Sequence, residues 1–327
     1  MELPTPRGPV SAHVVHALRS GDAFEPAVAA SADVLGDDAQ VALWVLLQLH
    51  YRDFDDAARD AEWDVGAVAL RQTLAESFVD RLRGLVTERV ALARDAADDV
   101  PGQVMAMIGA ADGPSLAAYL HREATREQVL SFLRQRSLYA LKESDAHSFV
   151  LPRVHGSVKV ALAELQYDEY GAGRPDRLHA GMYAEALVAA GLDPRYGRYV
   201  DEVAGPVLAV DNLISVLALQ RRTRAASLGQ LAAFEATSSL PSRRIAAGIE
   251  RVGLPRAVAA YFDEHVEADA AHEQIALRAV CGALVAAEPE LADDVLFGAA
   301  AYLELDERSA VHLLARWRDD EVVEAAS

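Results

Sequence analysis

The chain has 327 residues, and 31 Lys and Arg against 50 Asp and Glu give a formal net charge of −19 at pH 7. This acidity repels phosphate backbones and anionic lipid head groups, and argues against nucleic-acid and membrane partners. The single cysteine, Cys281, excludes a disulfide framework and a thiolate-rich metal site, while the lack of a signal-peptide core or of an apolar run of roughly 20 residues predicts a cytoplasmic protein.

The first third of the chain predicts a short lead-in followed by helices. Residues 1–12 contain three prolines among polar neighbours and predict a disordered segment. Residues 38–54 are strongly apolar over a helical length, and residues 65–95 carry an amphipathic helical pattern. Pro and Gly pairs near residues 100–114 then break the chain. We therefore expect an N-terminal helical region over 13–112, although the break could equally be a loop inside one domain.

The remaining sequence, 113–327, also reads as helices. Thr125-Arg-Glu-Gln opens one helix to about Lys142. Further helices are predicted from Pro152 to about residue 171, and over 176–191, 206–237, 256–287, 289–301 and 306–318. The sequence contains neither an alternating strand pattern nor a Gly-rich phosphate loop nor a G-x-S-x-G elbow. The expected fold is all-α, with about seven core helices in an orthogonal or bundle-like packing.

The segment YFDEHVEADAAHE, over 261–273, carries the strongest chemical signal. His265, Asp269 and His272 stand at positions i, i+4 and i+7, and these positions share one face of a helix. Two imidazoles and a carboxylate on one face are suitable ligands for iron, manganese or zinc. The same residues could instead belong to a solvated acidic face, because further Asp and Glu residues surround them.

A metal site in a helical bundle draws further ligands from other helices. The chain offers Glu143 at a predicted helix end, Glu169 before a Gly/Pro break, and His179 after it. Glu235 lies in the apolar stretch Leu-Ala-Ala-Phe-Glu, where a buried charge needs a partner. Each of these residues taken alone reads as a helix-end charge, a surface carboxylate or a satisfied core histidine.

As a set, these residues resemble a known family. The order of Glu143, Asp176-x-x-His179, Glu235 and the 265–272 triplet resembles the haem-oxygenase-like di-iron oxidases and oxygenases, also called iron-containing redox enzymes. Three neighbouring sequence segments are similar to the same family: RSLYALKESDAH over 136–147, PRVHG over 152–156 and ELQYDEYGAG over 164–173. The resemblance covers roughly 115–318.

This resemblance implies a haem-oxygenase-like helical bundle without haem, preceded by an additional N-terminal helical region. It implies a metal-binding set whose members are Glu143, Glu169, His179, Glu235, His265, Asp269 and His272. Glu169 and Asp269 are the residues expected to act in catalysis as well. Two ferrous ions would be neutralised by the four carboxylates of this set. Asp176 stands where some members carry Glu, and His147 is expected to support a ligand rather than bind metal.

The resemblance further implies an O2-dependent non-haem di-iron oxidoreductase acting on a small amine or amino acid. N-oxygenation through a peroxo-diferric intermediate is the expected reaction in a biosynthetic role, with O2 as cosubstrate and an electron donor that the sequence does not identify. Oxidative C–C or C–N cleavage is the first alternative. A non-redox, thiaminase-like small-molecule-binding protein is the second, and a homodimer is compatible with either. Arg221, Arg222 and Arg224 could hold a substrate carboxylate, but a solvated stripe is the favoured interpretation.

Overall fold

The computed structural model describes the backbone of residues 1–326 and the side chains of residues 1–266 and 271–319. Over these residues the chain forms α-helices, short 3-10 turns and one π-helical segment, without a β-strand. The predicted all-α fold class is therefore confirmed. Within the same part of the chain, no helix combines the length and the apolar character needed to cross a membrane.

Fifteen α-helices are numbered here in chain order. They are α1 (Pro9–Ser20), α2 (Asp37–Gln48), α3 (Val65–Ala96), α4 (Val100–Gly109), α5 (Leu116–Arg122), α6 (Arg126–Ala140), α7 (Asp145–Ser148), α8 (Gly156–Glu169), α9 (His179–Ala189), α10 (Gly205–Leu219), α11 (Arg224–Ala236), α12 (Ser239–Arg251), α13 (Arg256–Gln274), α14 (Ala283–Ala287) and α15 (Ala292–Ala326). The π-helical segment Ile275–Gly282 joins α13 to α14 without a break. Many sequence-predicted boundaries lie within a few residues of these bounds.

Local side-chain chemistry explains where two predicted helices begin. Asp64 accepts hydrogen bonds from the backbone N–H groups of Gly66 and Ala67 and so caps α3. Thr125 and Gln128 form a reciprocal capping box at the start of α6. Both caps satisfy N–H groups that the first helical turn leaves without a partner, and the start at Thr125 was predicted from the sequence.

The structure corrects the expectation of a disordered lead-in over residues 1–12. Leu3 is buried, its backbone N–H donates to Asp56, and Pro9 starts α1 in the first helical position. The N-terminal ammonium group forms an ion pair with Asp55 at 2.8 Å. The prolines therefore fix an extended segment against the rest of the chain, because fixed φ angles lower the entropy lost on docking.

The predicted long helix over 206–237 is also corrected, because it is two helices. Gln220 is extended, with φ −112° and ψ 127°, and it separates α10 from α11. The Thr223 hydroxyl donates to the carbonyl oxygen of Leu217 at 2.8 Å and so satisfies one of the last acceptors of α10. No Pro or Gly marks this break in the sequence.

The opposite correction applies near the C-terminus, where the two helices predicted over 289–301 and 306–318 form the single helix α15. In the structure Glu304 and Glu307 face Arg89 of α3, at 3.9 and 3.1 Å respectively. Paired charges and a continuing apolar face let the helix run on through this stretch.

The main apolar core joins the two ends of the chain. Trp44 of α2 and Phe78 of α3 belong to the same buried cluster as Leu213 of α10 and Phe297 of α15. Apolar side chains from both sides of the Gly113-Pro114 turn thus share one core. A second cluster, which includes Tyr183 and Tyr261, packs α5, α6, α9, α12 and α13 together with the following part of α15.

The crossing of α11 and α15 is close enough to need glycine on both helices. A Cβ atom on Gly229 would lie 1.9 Å from the carbonyl oxygen of Val295, and one on Gly298 would lie 1.8 Å from that of Ala226. Real Cβ atoms do not approach backbone so closely, so any side chain there would force the helices apart. This crossing fixes the position of α11, which carries Glu235.

We predict that Gly298→Ala destabilises the protein by at least about 2 kcal/mol, because the added methyl group meets backbone that cannot rotate away. Urea unfolding followed by circular dichroism would measure the loss. Gly84→Ala is the matched control, since a Cβ atom on Gly84 in α3 would have no heavy atom within 4 Å. We expect this control to be neutral or to stabilise by about 0.5–1 kcal/mol. Equal stability of the two variants would contradict the close crossing.

Candidate metal centre

Glu143 reaches the interior from a tight turn between α6 and α7. Ser144 adopts a left-handed backbone with φ 67°, a conformation that costs a non-Gly residue energy. Its carbonyl oxygen accepts a hydrogen bond from Gln166 of α8 at 2.9 Å, which holds the turn in place. The turn reverses the chain in such a way that the Glu143 side chain is only 3% exposed.

Glu169 and His179 are brought together by the Gly/Pro break that separates α8 from α9. Glu169 is the last residue of α8, and His179 is the first of α9. Gly171 between them has φ 81°, and a Cβ atom there would lie 2.3 Å from the Arg174 carbonyl oxygen. Only glycine fits this turn, which leaves His179 Nδ1 and Glu169 Oε2 3.1 Å apart.

The remaining described candidates come from α11 and α13. Glu235 lies in the last turn of α11, while His265 and His272 lie two turns apart on α13. The π-helical segment begins three residues after His272 and packs against α8 and α11. Such π segments are rare and occur frequently beside functional sites.

The structure brings six of the seven predicted ligands together in two groups. The groups are Glu143, His179 and His265, and Glu169, Glu235 and His272; in each group the three possible ligand atoms lie within 4.8 Å of one another. All six side chains are at most 4% exposed. Glu169 connects the groups, since Oε2 faces His179 at 3.1 Å and Oε1 faces His272 Nδ1 at 3.3 Å.

The nitrogen and oxygen atoms of this cluster are placed better for binding a metal than for hydrogen bonding to one another. Glu143 Oε1, His179 Nδ1 and His272 Nδ1 are buried and make no well-aligned hydrogen bond, although oppositely charged groups lie nearby. Burying such atoms without partners is costly. His265 Nδ1 lies 2.7 Å from the Tyr261 carbonyl oxygen and donates to it, so Nε2, which faces Glu143 at 3.4 Å, is the nitrogen that a metal would bind on the neutral imidazole. A nitrogen and oxygen donor set of this kind suits iron, manganese or zinc.

The buried charges shift each other's pKa values. Burial alone would lower the pKa of His272, but the carboxylates of Glu169 and Glu235 outweigh it and raise the pKa to about 11. The pKa of His179 is raised in the same way by Glu169 against the effect of burial. Burial raises the pKa of Glu235, whereas the nearby histidines hold that of Glu169 below its usual range despite burial. Without metal, protons on histidine balance the carboxylates.

A layer of hydrogen bonds supports the cluster. The Tyr261 hydroxyl donates to Glu143 Oε2 at 2.7 Å. His147, whose pKa is lowered by burial, lies 3.0 Å from Gln230 Oε1 through Nε2 and is not part of either group. Sequence reasoning missed Tyr261 and Gln230 as supporting residues. Tyr261 stands one helical turn before His265, and that spacing was the available signal.

Several candidate residues fall outside this cluster. Asp269 lies on the α13 backbone between the two histidines, but its side chain is outside the described residues. Asp176 is exposed and forms an ion pair with Arg174 at 2.7 Å, away from the six clustered side chains. The basic stripe does not enter the cluster either: Arg222 and Arg224 pair with Glu76 and Glu288, and Arg221 is exposed.

Comparison with known proteins gives one strong match. The family described as iron-containing redox enzyme matches residues 130–307, which is more than half of the chain and contains all six clustered side chains. No protein of curated function matches. Two crystal structures of a CADD-like protein of unknown function from Nostoc punctiforme are similar, at 15% and 16% identity with TM-scores of 0.49 and 0.48. The alignments cover 76% and 74% of this chain and 97% of that protein.

We predict that Tyr261→Phe weakens metal binding by about 10- to 100-fold, because Glu143 loses the hydrogen bond that orients it. Competition with a chelator of known affinity would measure the change. Tyr183→Phe is the matched control, since the Tyr183 hydroxyl donates to the Leu133 carbonyl oxygen while its ring packs beside Tyr261. This control should lower stability without changing metal affinity. A similar loss of affinity in both variants would argue against a specific role for Tyr261.

We also predict that Fe(II) binding releases at least one proton per chain at about pH 7 to 9. A pKa of about 11 means that His272 is protonated there in the metal-free protein, and a metal binds only the neutral imidazole. Iron affinity should therefore rise with pH by about tenfold per pH unit for each proton displaced. Anaerobic calorimetry in two buffers of different ionisation enthalpy counts the protons. Binding without proton release at pH 8 would contradict the assigned charge state.

Proposed function

Because the chain belongs to the family of iron-containing redox enzymes, we propose that it is a non-haem di-iron oxygenase that uses O2 to N-oxygenate a small amine or amino acid. The observation that carries this proposal is the pair of adjoining buried ligand groups connected by Glu169. A single structural ion would need only one such group. Two groups sharing a carboxylate suit the cooperation of two ions.

The residues of each group would hold one ion. Glu143, His179 and His265 would bind the first, and Glu169, Glu235 and His272 the second. Glu169 would be the bridging carboxylate, because its two oxygens face different groups. Asp269 stands four residues after His265 and three before His272, so we assign it to the same face of α13 as a further ligand.

A pair of ferrous ions would supply the two electrons needed to turn O2 into an oxidant. In the balanced reaction one oxygen atom enters an N–H bond and the other leaves as water, so an external reductant must restore the two electrons. The chain itself holds the ligands in place and keeps water away, since the clustered side chains are nearly inaccessible. Exclusion of water strengthens every charge interaction inside the site and suppresses loss of the oxidant.

Tyr139 supports the same function because it lies near the carboxylates of Glu143 and Glu169. It packs against Phe234, with ring centroids 5.1 Å apart, directly before Glu235 in the chain. Burial and the nearby Glu143 raise the pKa of Tyr139 well above its usual range, so its hydroxyl stays protonated. A protonated phenol beside buried carboxylates is able to donate a hydrogen bond without adding charge.

We predict that anaerobic titration of the protein saturates near two Fe(II) per chain. Exposure of the loaded protein to O2 should then consume O2, faster in the presence of the substrate. A panel of amines and amino acids, analysed by mass spectrometry, would show an added oxygen atom for N-oxygenation and a shortened carbon or nitrogen skeleton for oxidative cleavage. The product therefore separates the two reactions that this family resemblance allowed.

Two variants control this experiment. His265→Ala should abolish binding of at least one ion together with O2 consumption, because it removes a buried ligand. His312→Ala should leave both unchanged, since His312 is exposed on α15, far from the clustered side chains in the sequence and absent from both groups. Less than one bound iron per chain, with no effect of His265→Ala, would refute the di-iron function.

A further inference from the structure

A two-lobed cavity lies beside the metal centre and contains charges that the ligand set does not use. One lobe has a volume of about 230 Å³ and is partly polar, with Thr237, Ser238 and Ser242 in its wall. The other has a volume of about 90 Å³ and is mainly apolar, with Val207, Leu208 and Ile214 in its wall. The two lobes share a boundary, because Arg136 and Asp306 line both of them.

Arg136 is a cation without a directly paired anion in this cavity. Its guanidinium makes no hydrogen bond or ion pair within the described part of the chain, and its Nε atom is fully buried. The Tyr139 ring lies 5.5 Å from its Cζ atom, a contact that stabilises the charge only weakly. Burial opposes the charge, yet Tyr261, Glu143 and other neighbours more than compensate and raise the pKa of Arg136. The guanidinium is thus charged, and its hydrogen-bond donors are available.

Asp306 is the matching anion. Its side chain is exposed at the wall that the two lobes share, so a ligand can reach the carboxylate. It forms no ion pair with Arg136 in the structure, but the two charges interact electrostatically across the cavity. The two other acidic residues in the walls are already paired: Asp211 with Lys142 at 2.9 Å, and Glu307 with Arg89 at 3.1 Å.

Aromatic side chains connect the cavity wall to the metal centre. Phe132 in its wall packs against Phe262, with centroids 6.2 Å apart, and Phe262 packs against Tyr261. The Tyr261 hydroxyl donates to Glu143. Phe234 lines both lobes and directly precedes Glu235 on α11, so a molecule held at the boundary of the two lobes would lie next to the candidate ligand set.

We infer that Arg136 and Asp306 form a recognition site for a zwitterion, in which Arg136 binds the carboxylate and Asp306 binds the ammonium group of an α-amino acid whose apolar side chain occupies the smaller lobe. This inference rests on the proposed function, and it restricts the substrate class from amines in general to amino acids. A guanidinium binds a carboxylate through two parallel hydrogen bonds, whereas a carboxylate accepts the N–H groups of an ammonium ion. A ligand with both charges would pair with both residues at once and would supply the anion that the partly buried Arg136 guanidinium lacks.

The test compares three ligands that differ only in their charged groups. L-Leucine carries both charges, 3-methylbutylamine lacks the carboxylate, and 4-methylpentanoate lacks the ammonium group. L-Phenylalanine with 2-phenylethylamine and 3-phenylpropanoate forms a second series with a larger side chain. Anaerobic calorimetry on the Fe(II)-treated full-length protein measures each affinity without turnover. We expect at least one of the two amino acids to bind about 10- to 100-fold more tightly than its two analogues, the range of one or two charge-assisted hydrogen bonds.

Two variants test which residue binds which charged group of the ligand. Arg136→Gln should lower the affinity for the amino acid to that for the amine while leaving the amine unaffected. Asp306→Asn should lower it to that for the acid while leaving the acid unaffected. A merely structural role would weaken all three ligands alike. Arg134→Gln and Asp294→Asn, on the same two helices but paired outside the cavity, are the matched controls and should change nothing.

The recognition site and the di-iron function can be refuted independently of each other. If neither amino acid binds more tightly than its analogues, or if both variants weaken all three ligands equally, the recognition site is refuted even when the protein binds two irons and consumes O2. If amino acids bind as expected but the protein takes up no iron, the recognition site stands and the di-iron function fails. Thermal unfolding midpoints within a few degrees of the wild type would show that the variants fold.

Discussion

The burial of like-charged carboxylates is the constraint on which the rest of this structure depends. Glu143, Glu169 and Glu235 lie within one apolar helical interior, where an unbalanced negative charge would cost several kcal/mol. Histidines interleave with them so closely that each carboxylate has an imidazole within 3.6 Å. The cluster is stable only as a unit, and positive charge must enter it either as protons or as metal ions.

The scaffold meets this constraint through unusual backbone rather than through regular helix alone. Three candidate ligands flank chain reversals with left-handed residues: Glu143 precedes Ser144, and Glu169 and His179 lie on either side of Gly171. A fourth, His272, precedes a π-helical segment. Each departure from regular geometry costs energy that the surrounding packing must supply. Their concentration around the six clustered side chains follows the general rule that strain accumulates where function requires a fixed direction.

Sequence patterns anticipated the features that depend on local chemistry. The spacing of His265 and His272, the capping box at Thr125 and the long amphipathic helix α3 all follow from helical periodicity and terminal hydrogen bonds. The all-α class and the gathering of the ligand residues followed from the family resemblance as well. Local patterns of this kind survive folding because neighbouring residues enforce them.

The features that were missed depend on contacts between distant parts of the chain. The continuity of α15 rests on Arg89 of α3, and the break after α10 rests on a threonine that follows it. Arg136 lies in one of the segments that match the family, but no sequence pattern connects it to Asp306, 170 positions later. No single-sequence rule predicts which charged residues end on opposite sides of a cavity, because that is decided by tertiary packing.

The close crossing at Gly229 and Gly298 has a consequence for how this protein could change its substrate. Glu235 of α11 and Asp306 of α15 stand on two helices whose backbones touch, so their separation is set by main chain and not by adjustable side chains. Substitutions in the cavity walls would alter the width of the cavity, but under the proposed function the distance from Asp306 to Glu235 would stay constant. If the proposed recognition of amino acids holds, substrates new to this fold would differ in side-chain volume and share one distance between the bound charge and the nitrogen that is oxygenated.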